Sequence, residues 1–589
     1  MKSIKYIALF LGITAVGLTS CSDSFLDKNP DERTEIDSEE KIIKLLITSY
    51  PYSNPSWVGE LSSDNLIDNQ SPHLPTSPND KQILSHYNYA SYARWDDQLF
   101  RFEPATQATY GESDSPGQLW ASYYRTIACA NYAIEAINKL VPNSLERGPS
   151  MRAAEGEALL LRAYSHFMLV NFFASPFKDA ETSKNDKGIP YVTHTNNVVM
   201  SNYPRGSVAD NYNSIQKDLE LGLEKISDIN YKVAPKYHFN VNAAHAFAAR
   251  FYLFTHQYEK VIAHADAVLG ADTTVRLQRM MMDYSVFEKT ANLSDYATAW
   301  QNPELNNNLL LIPTYSALPR RIFGSRYSCA GPAARATLMV HPSPLWSGYI
   351  APSIPIISGM LFSSGSSDYG FFGAKIQEKF QYVNKIAGTG YVHVIYRAFT
   401  SNSLLLERAE AKIMLGRYDD AAADLMAYWN YSLKNFSQKD KDAHLTTGNT
   451  KFLTKDVLLS YWSDKNHENC FKDWSFAQAR VGLNIPAAAV PYMNCLNDFR
   501  RYENAFEGMR FIDIRRWGLP LKHIVGLSRD TITADNAKRI IEIPWEVLSA
   551  GTESARTGIT GGKPAQLDFS SSNSKVNSSS MNLERLRNK

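Results

Sequence analysis

Ala248-Ala249-Arg250-Phe251-Tyr252-Leu253-Phe254-Thr255-His256-Gln257-Tyr258-Glu259-Lys260 can be laid over Arg408-Ala409-Glu410-Ala411-Lys412-Ile413-Met414-Leu415-Gly416-Arg417-Tyr418-Asp419-Asp420. In each copy a helix rich in small residues ends at a tight turn. A tyrosine then opens the next helix, which continues as Val261-Ile262-Ala263 or Ala421-Ala422-Ala423. Small residues let two antiparallel helices approach closely, and the turn tyrosine is expected to pack across the hairpin. An earlier stretch has the same form. Leu119, Tyr123, Ile127, Ala130, Ile134 and Ile137 recur at steps of three and four, the stripe of an amphipathic helix. Met151 to Phe173 predicts a second helix with Ala154, Ala158, Leu161, Ser165 and Met168 on one face, and Pro142, Asn143 and Gly148 punctuate the turn before it.

Helix, turn, antiparallel helix is the unit of tetratricopeptide architecture, whose period is about 34 residues. The copies here are degenerate and further apart. The expected fold is therefore mostly α, a tetratricopeptide-like helical-hairpin scaffold with long loop-rich insertions. Repeats are expected at about 119–270 and 401–430, a first helix at Ser38 to Ser49, and a C-terminal helical region at about 491–546. Residues 38–589 read as one domain. The insertions, about 51–118 and 290–400, are rich in Pro, Gly, Ser, Asn and aromatics, with weak periodicity. Loops that long usually carry function or disorder, and their aromatic content argues against disorder.

At the start of the chain, Lys2 and Lys5 precede an apolar run from Tyr6 to Gly17, followed by Leu18-Thr19-Ser20-Cys21. The run is shorter than the roughly 20 apolar residues of a membrane span and reads as a secretory signal. Leu-Thr-Ser-Cys resembles a bacterial lipobox. The expectation is a signal peptide at 1–20, a lipidated Cys21 as first mature residue, and a tether over 21–37; the plain alternative is an ordinary signal with a chance cysteine. Several acyl chains anchor a protein stably where one does not.

The 589 residues carry a formal net charge of +1, and removing Lys2 and Lys5 leaves 59 basic against 60 acidic side chains. No concentrated positive charge points to nucleic acid. Cys129, Cys329, Cys470 and Cys495 match no zinc spacing and no dense disulfide framework. Buried free thiols are expected, with one disulfide possible. Aromatic residues make up 12% of the chain, including 33 tyrosines and 10 tryptophans, which suits a recognition surface as well as a large core.

Three stretches together resemble the SusD/RagB family of glycan-binding outer-membrane lipoproteins from Bacteroidetes. Cys21-Ser22-Asp23-Ser24-Phe25-Leu26-Asp27-Lys28-Asn29-Pro30 is similar to its opening. Gly156-Glu157-Ala158-Leu159-Leu160-Leu161-Arg162-Ala163-Tyr164 is similar to its Gly-Glu-Ala helix. Glu507-Gly508-Met509-Arg510-Phe511-Ile512-Asp513-Ile514-Arg515-Arg516-Trp517-Gly518 is close to its Glu-Gly-x-Arg motif, and Ile543-Pro544-Trp545-Glu546 to its late Ile-Pro motif. The chain departs from the family after Gly551, where a Ser- and Asn-rich tail replaces an Asn-Pro-rich end. The resemblance implies a glycan-binding lipoprotein at the outer membrane, facing the cell exterior. Its partners would be an oligosaccharide or polysaccharide and a SusC-like TonB-dependent transporter.

Catalytic motifs are scarce. His467-Glu468 lacks the second histidine of a zinc helix, and Gly558-Ile559-Thr560-Gly561-Gly562-Lys563-Pro564 has misplaced glycines for a phosphate loop. No Gly-x-Ser-x-Gly elbow occurs. A glycosidase needs only two facing carboxylates, so hydrolysis stays open from the residues alone. The resemblance implies binding without turnover. No catalytic residue, cofactor or metal is expected.

Sugar binding needs flat apolar faces with hydrogen-bonding groups beside them. Placed by region, the candidates are Trp95 with Arg94 and Asp96, then Tyr296, Trp300, Tyr327, Trp346 and Tyr349. Asp64, Asn65 and Asp68 could supply polar contacts, and Asp64-Asn65 could equally be turn or capping residues. At least one of Trp95, Trp300 and Trp346 is expected to be exposed. Glu507, Arg510, Asp513 and Arg516 lie three apart and predict a charge ladder that locks its helix against the repeats, with Trp517 beneath. Glu157 and Arg162 read as a framework pair. Two rivals remain: a repeat-scaffold lipoprotein that binds a polypeptide, and a glycoside hydrolase.

Overall fold

Side-chain oxygens start the main helices. Ser38, Ser115, Ser207, Asn240 and Thr400 each accept a hydrogen bond from the backbone N–H three residues on, satisfying a donor the helix leaves orphaned. The helices used below are α1 (Glu39–Ile47), α2 (Ser56–Leu61), α3 (Arg94–Phe100), α4 (Pro116–Leu140), α5 (Pro149–Phe173) and α6 (Val208–Lys225). They continue as α7 (Val241–Phe254), α8 (Tyr258–Leu269), α9 (Leu293–Trp300), α10 (Ser401–Met414), α11 (Tyr418–Lys434), α12 (Val490–Glu503) and α13 (Met509–Arg516). This is a computed structural model, and the residues it describes are 36–68, 93–106, 111–195, 203–271, 275–290, 293–322, 326–328, 361–362, 372–434, 452–464, 470–525, 530–533 and 537–556.

Successive helices pack as antiparallel hairpins: α4 on α5, α5 on α6, α7 on α8, α10 on α11, with α8 and α12 both against α10. The fold is mostly helical, as the periodicity predicts. Between α5 and α6 the approach is set by glycine, because a Cβ on Gly156 would come within 2.7 Å of the Ile226 nitrogen. The two aligned turns are built alike. His256 and Gly416 occupy equivalent positions, both left-handed, at φ 59° and 72°. The next N–H in each bonds back to the helix, Gln257 to the Tyr252 carbonyl at 2.9 Å and Arg417 to that of Lys412 at 2.8 Å. Tyr418 opens α11 as expected, and its ring stacks on Tyr492 of α12 at 5.1 Å.

Among its described residues, the second insertion contains regular strands, which its composition did not suggest. It holds β2 (Asn308–Thr314), β4 (Glu378–Asn384) and β5 (Thr389–Thr400), joined antiparallel in the order β2-β5-β4. Two further strands, β1 (Ile67–Asp68) and β3 (Tyr327–Ser328), are taken up below. Phe380 and Tyr382 alternate with Lys379 and Gln381, a period of two that marks a strand.

The charge ladder corrects in detail. Glu507 precedes α13 and accepts from Arg397 at 2.8 Å. Arg510 is bidentate to Asp64, both bonds 2.8 Å, and reaches Asn497 at 2.7 Å. Asp513 accepts two bonds from Arg500 at 2.9 and 3.0 Å, and one from Arg516 at 2.8 Å. Arg516 and the Trp517 indole N–H both reach Glu410 of α10. Only the Asp513–Arg516 rung of the ladder lies within the helix; the other pairs tie α13 to α10, α12 and the loop after α2, and Glu507, just before it, to β5. A buried guanidinium is best met by a carboxylate it can fork onto, and those carboxylates sit on neighbouring elements. Burial works against ionisation of Asp513, but Arg500 and Arg516 outweigh it and hold its pKa down to about 2. Glu157 and Arg162 are framework residues but not partners: Glu157 accepts from Tyr50 and Tyr231, at 2.6 and 2.7 Å, and Arg162 forks onto Asp218 at 2.7 Å.

Cys129, Cys470 and Cys495 are free thiols. The signal peptide, Cys21, Cys329, His467-Glu468, residues 558–564 and the Ser- and Asn-rich tail lie outside the described residues. Among the described residues no helix is long and apolar enough to cross a membrane.

Candidate functional site

The two insertions meet in a two-residue antiparallel ladder, Ile67 opposite Ser328 and Asp68 opposite Tyr327. Around it, side chains from both close a seam. Arg326 donates two bonds to Asp68, at 3.0 and 2.9 Å, and the Tyr327 hydroxyl donates to Asp97. The Tyr327 ring stacks on Phe100 at 4.4 Å, and Phe100 on His523 at 4.0 Å. Asp96 accepts from the Trp57 indole at 2.8 Å, from the Ala93 N–H at 3.0 Å and from Arg321 at 3.3 Å. Burial pushes the pKa of Asp96 up to about 6, against the pull of Arg321 and Trp57. Arg321 lies over the Trp95 ring at 5.1 Å, a cation–π contact.

The expected sugar contacts thus divide. Arg94, at the start of α3, is exposed. Trp95, Trp300 and Tyr327 are each only 1% exposed, so neither Trp95 nor Trp300 is the open tryptophan expected of the three. Cations are the reason: Arg321 covers Trp95, while Lys375 and Arg397 lie 5.2 and 4.7 Å from the Trp300 ring. Such faces are already occupied within the protein. Asp96 and Asp68 are buried in the seam, and Asn65 is buried between Glu60 and Arg501. Half-buried Asp64 is the partner of Arg510, and half-buried Tyr296 stacks on Phe287 at 5.5 Å. Trp346 and Tyr349 lie outside the described residues.

Open aromatic surface occurs instead on the sheet of the second insertion. Tyr315, Phe380, Tyr382 and Tyr391 are between 37% and 53% exposed. Tyr391 faces Gln381 and His393 faces Lys379 across the β4–β5 ladder, so these four share one face. Tyr315, just past β2, joins them with its ring 5.6 Å from that of Tyr391. Its N–H bonds the Tyr52 carbonyl at 2.7 Å, a second tie between the insertions. Phe380 and Tyr382 lie on the opposite face, 4.8 Å apart, and the Phe380 ring covers Gly390, where a Cβ would come within 2.8 Å of it. The Tyr315–Tyr391 face combines flat rings with an amide, an imidazole and an ammonium, the groups that hold a pyranose by its C–H side and its hydroxyls. Composition alone missed it; the alternation from Lys379 to Asn384 and from Thr389 to Tyr396 was the available signal. Among the described residues no group of three or more His, Cys, Asp or Glu is placed to hold a metal.

A helical-hairpin scaffold with two aromatic-rich insertions tied to each other defines the class. In fold the chain is similar to SusD superfamily proteins. Residues 24–253 match the model of a SusD-like family described as starch-binding and associating with the outer membrane. A SusD superfamily protein from Bacteroides vulgatus is 16% identical, over 90% of this chain and 99% of its own, with a TM-score of 0.54. One from Bacteroides thetaiotaomicron is 14% identical, over 87% of this chain and 98% of its own, with a TM-score of 0.52. A SusD-like protein from Bacteroides fragilis is 16% identical, over 87% and 96%, with a TM-score of 0.51. At these identities the structures speak for the fold. No curated protein matches the sequence.

Proposed function

We propose that the chain is a cell-surface lipoprotein that binds an oligosaccharide or polysaccharide and delivers it, unaltered, to a SusC-like TonB-dependent transporter in the outer membrane. The observation that carries this reading is the exposed Tyr315–Tyr391 face, built on a sheet that is hydrogen-bonded to the first insertion. Tyr315 and Tyr391 serve as stacking rings, Gln381 and His393 as hydroxyl partners. Arg94, Tyr296, Trp346 and Tyr349 remain candidates for direct contact, while Trp95, Trp300 and Tyr327 hold the platform from beneath. The family model's description, starch-binding and associating with the outer membrane, supports both the ligand class and the location. Anchoring rests on Cys21, and Cys21→Ala is expected to release the protein from the membrane.

Affinity is expected in the micromolar to millimolar range, roughly −4 to −8 kcal/mol, weak enough to release cargo. Affinity electrophoresis against a panel of polysaccharides, with wild type beside Tyr391→Ala, is the test. Retardation that Tyr391→Ala abolishes supports the reading, and unretarded migration of wild type on every glycan rejects it. The polypeptide-binding alternative draws on the β4–β5 tip, where Val383 and Ile386 are open to solvent.

A further inference from the structure

Buried arginines in this protein are paired with carboxylates almost as a rule. Arg162, Arg250, Arg397, Arg408, Arg500 and Arg516 each have one at 2.7–2.9 Å. Arg515 differs. It is 2% exposed, yet its guanidinium donates to two backbone carbonyls, those of Asn171 and Ala174, at the C-terminal end of α5. Its Nε–H is buried with no partner. A helix C-terminus supplies roughly half a negative charge, which leaves a desolvated cation under-compensated. Burial pushes the Arg515 pKa down to about 9, and Arg539 acts in the same direction.

Arg515 does not stand alone. It lines a cavity of about 50 Å³ between the ends of α5 and α13, together with Arg480, Arg539, Lys178 and Asp186. Asp186 is the one carboxylate among the lining residues, and it is engaged by Lys178 at 3.0 Å. Arg480 is half-buried at the mouth, held by the Gly518 carbonyl at 2.7 Å. Gly518 has φ +64°, and a Cβ there would come within 3.1 Å of the Arg480 side chain, so glycine keeps room for that arginine. A single water needs roughly 10–15 Å³ of such space, so the cavity has the capacity of a few waters, or of one tetrahedral oxyanion.

We propose that this cavity binds a small oxyanion, a phosphate or sulfate group, with Arg480 and Arg515 as its principal donors and Arg539 and Lys178 beside them. Guanidinium groups match the oxygens of such anions with paired N–H bonds, and Arg480 and Arg515 both line the cavity, whose one carboxylate is already held by Lys178. Two sources share this chemistry: the free ion, and a sulfate ester carried by a sugar. Only the second rests on the glycan-binding reading, so failure of that reading leaves the first intact.

The test is isothermal titration of the purified full-length chain with sodium sulfate, sodium phosphate, galactose 6-sulfate and galactose, at ionic strength matched with chloride. Wild type is expected to bind at least one of the three anionic probes at one site, with at least tenfold weaker binding in Arg480→Gln. Arg515→Lys is expected to weaken it similarly; should that variant fail to fold, Arg480→Gln at the half-buried mouth decides. Binding of galactose 6-sulfate well above that of free sulfate assigns the site to a sugar-borne group, and comparable binding assigns it to the ion. No heat from any anionic probe beyond the chloride control, or equal binding by Arg480→Gln and wild type, overturns the proposal.

Discussion

The seam between the insertions and the sheet beside it use aromatic rings in opposite ways. In the seam Trp95 lies under Arg321 and Tyr327 on Phe100, Trp300 lies under Arg397, and the indole of Trp57 is spent on Asp96. On the sheet, Tyr315 and Tyr391 meet each other, Tyr391 also meets His393, and much of both rings is open to solvent. Tryptophan under a cation makes a rigid base, whereas tyrosine on an open strand offers a face to something outside. An aromatic-rich insertion is therefore not by itself a binding site. Its binding rings are those the protein leaves uncovered.

The comparison breaks first at its foundation. Asp513→Ala leaves Arg500 and Arg516 facing each other in the core and is expected to cost about 3–5 kcal/mol by denaturant unfolding. A loss under 1 kcal/mol would mean the tie between α13 and α12 is dispensable. Since the Asp513 pKa in the fold is about 2, below the ordinary 3.8, its contribution is present above pH 4 and fades as pH falls toward 2. Acid unfolding of wild type should therefore deepen across that window, and less so in Asp513→Asn.

Trp300→Ala should cost a similar or slightly smaller amount, about 3–5 kcal/mol for a buried ring, while glycan binding by the molecules that stay folded is retained. Lost binding at unchanged melting temperature would move Trp300 from the base to the binding face. At the seam, Asp96 has the opposite sign from Asp513. Its pKa is raised from 3.8 to about 6, so its favourable term is complete below pH 4 and is lost as pH rises through 6. Asp96→Asn should gain on wild type by of order 2 kcal/mol between pH 4 and pH 8, read from chemical unfolding at each pH. A constant difference across that range would show that Arg321 keeps Asp96 ionised throughout. Smallest in stability is Tyr391→Ala, within about 0.5 kcal/mol of wild type. Its glycan affinity should nonetheless fall by 2 kcal/mol or more, about thirtyfold, in calorimetry with a retarding glycan.

The scaffold was legible because helical periodicity is local. The stripe from Leu119 to Ile137 and the aligned turns at His256 and Gly416 reappear as helices and left-handed turns in the structure. The polar ties were half legible. That Arg510, Asp513 and Arg516 are structural could be read from their spacing, but their partners Asp64, Arg500 and Glu410 lie on other elements, beyond any local pattern. The candidate site was the least legible. Whether a tryptophan is covered depends on where Arg321 or Arg397 arrives from, more than 90 residues away in either case. Choosing rings by residue type favoured the tryptophans. The alternation that exposes Tyr391 was the better guide.

The fork of Arg510 onto Asp64 joins residues 446 positions apart, and Arg501 reaches Asn65 across 436. A chain made from its N-terminus can pack α1 against α4 and α5 early, but the loop after α2 waits, unfastened, until almost all of it has appeared. Closing so long a loop is costly in entropy before any contact rewards it, and folds rich in such contacts form slowly. For this protein, the interval between first and last residue is a time of exposed apolar surface, and truncation anywhere before residue 510 should yield a species for proteases rather than a smaller working protein.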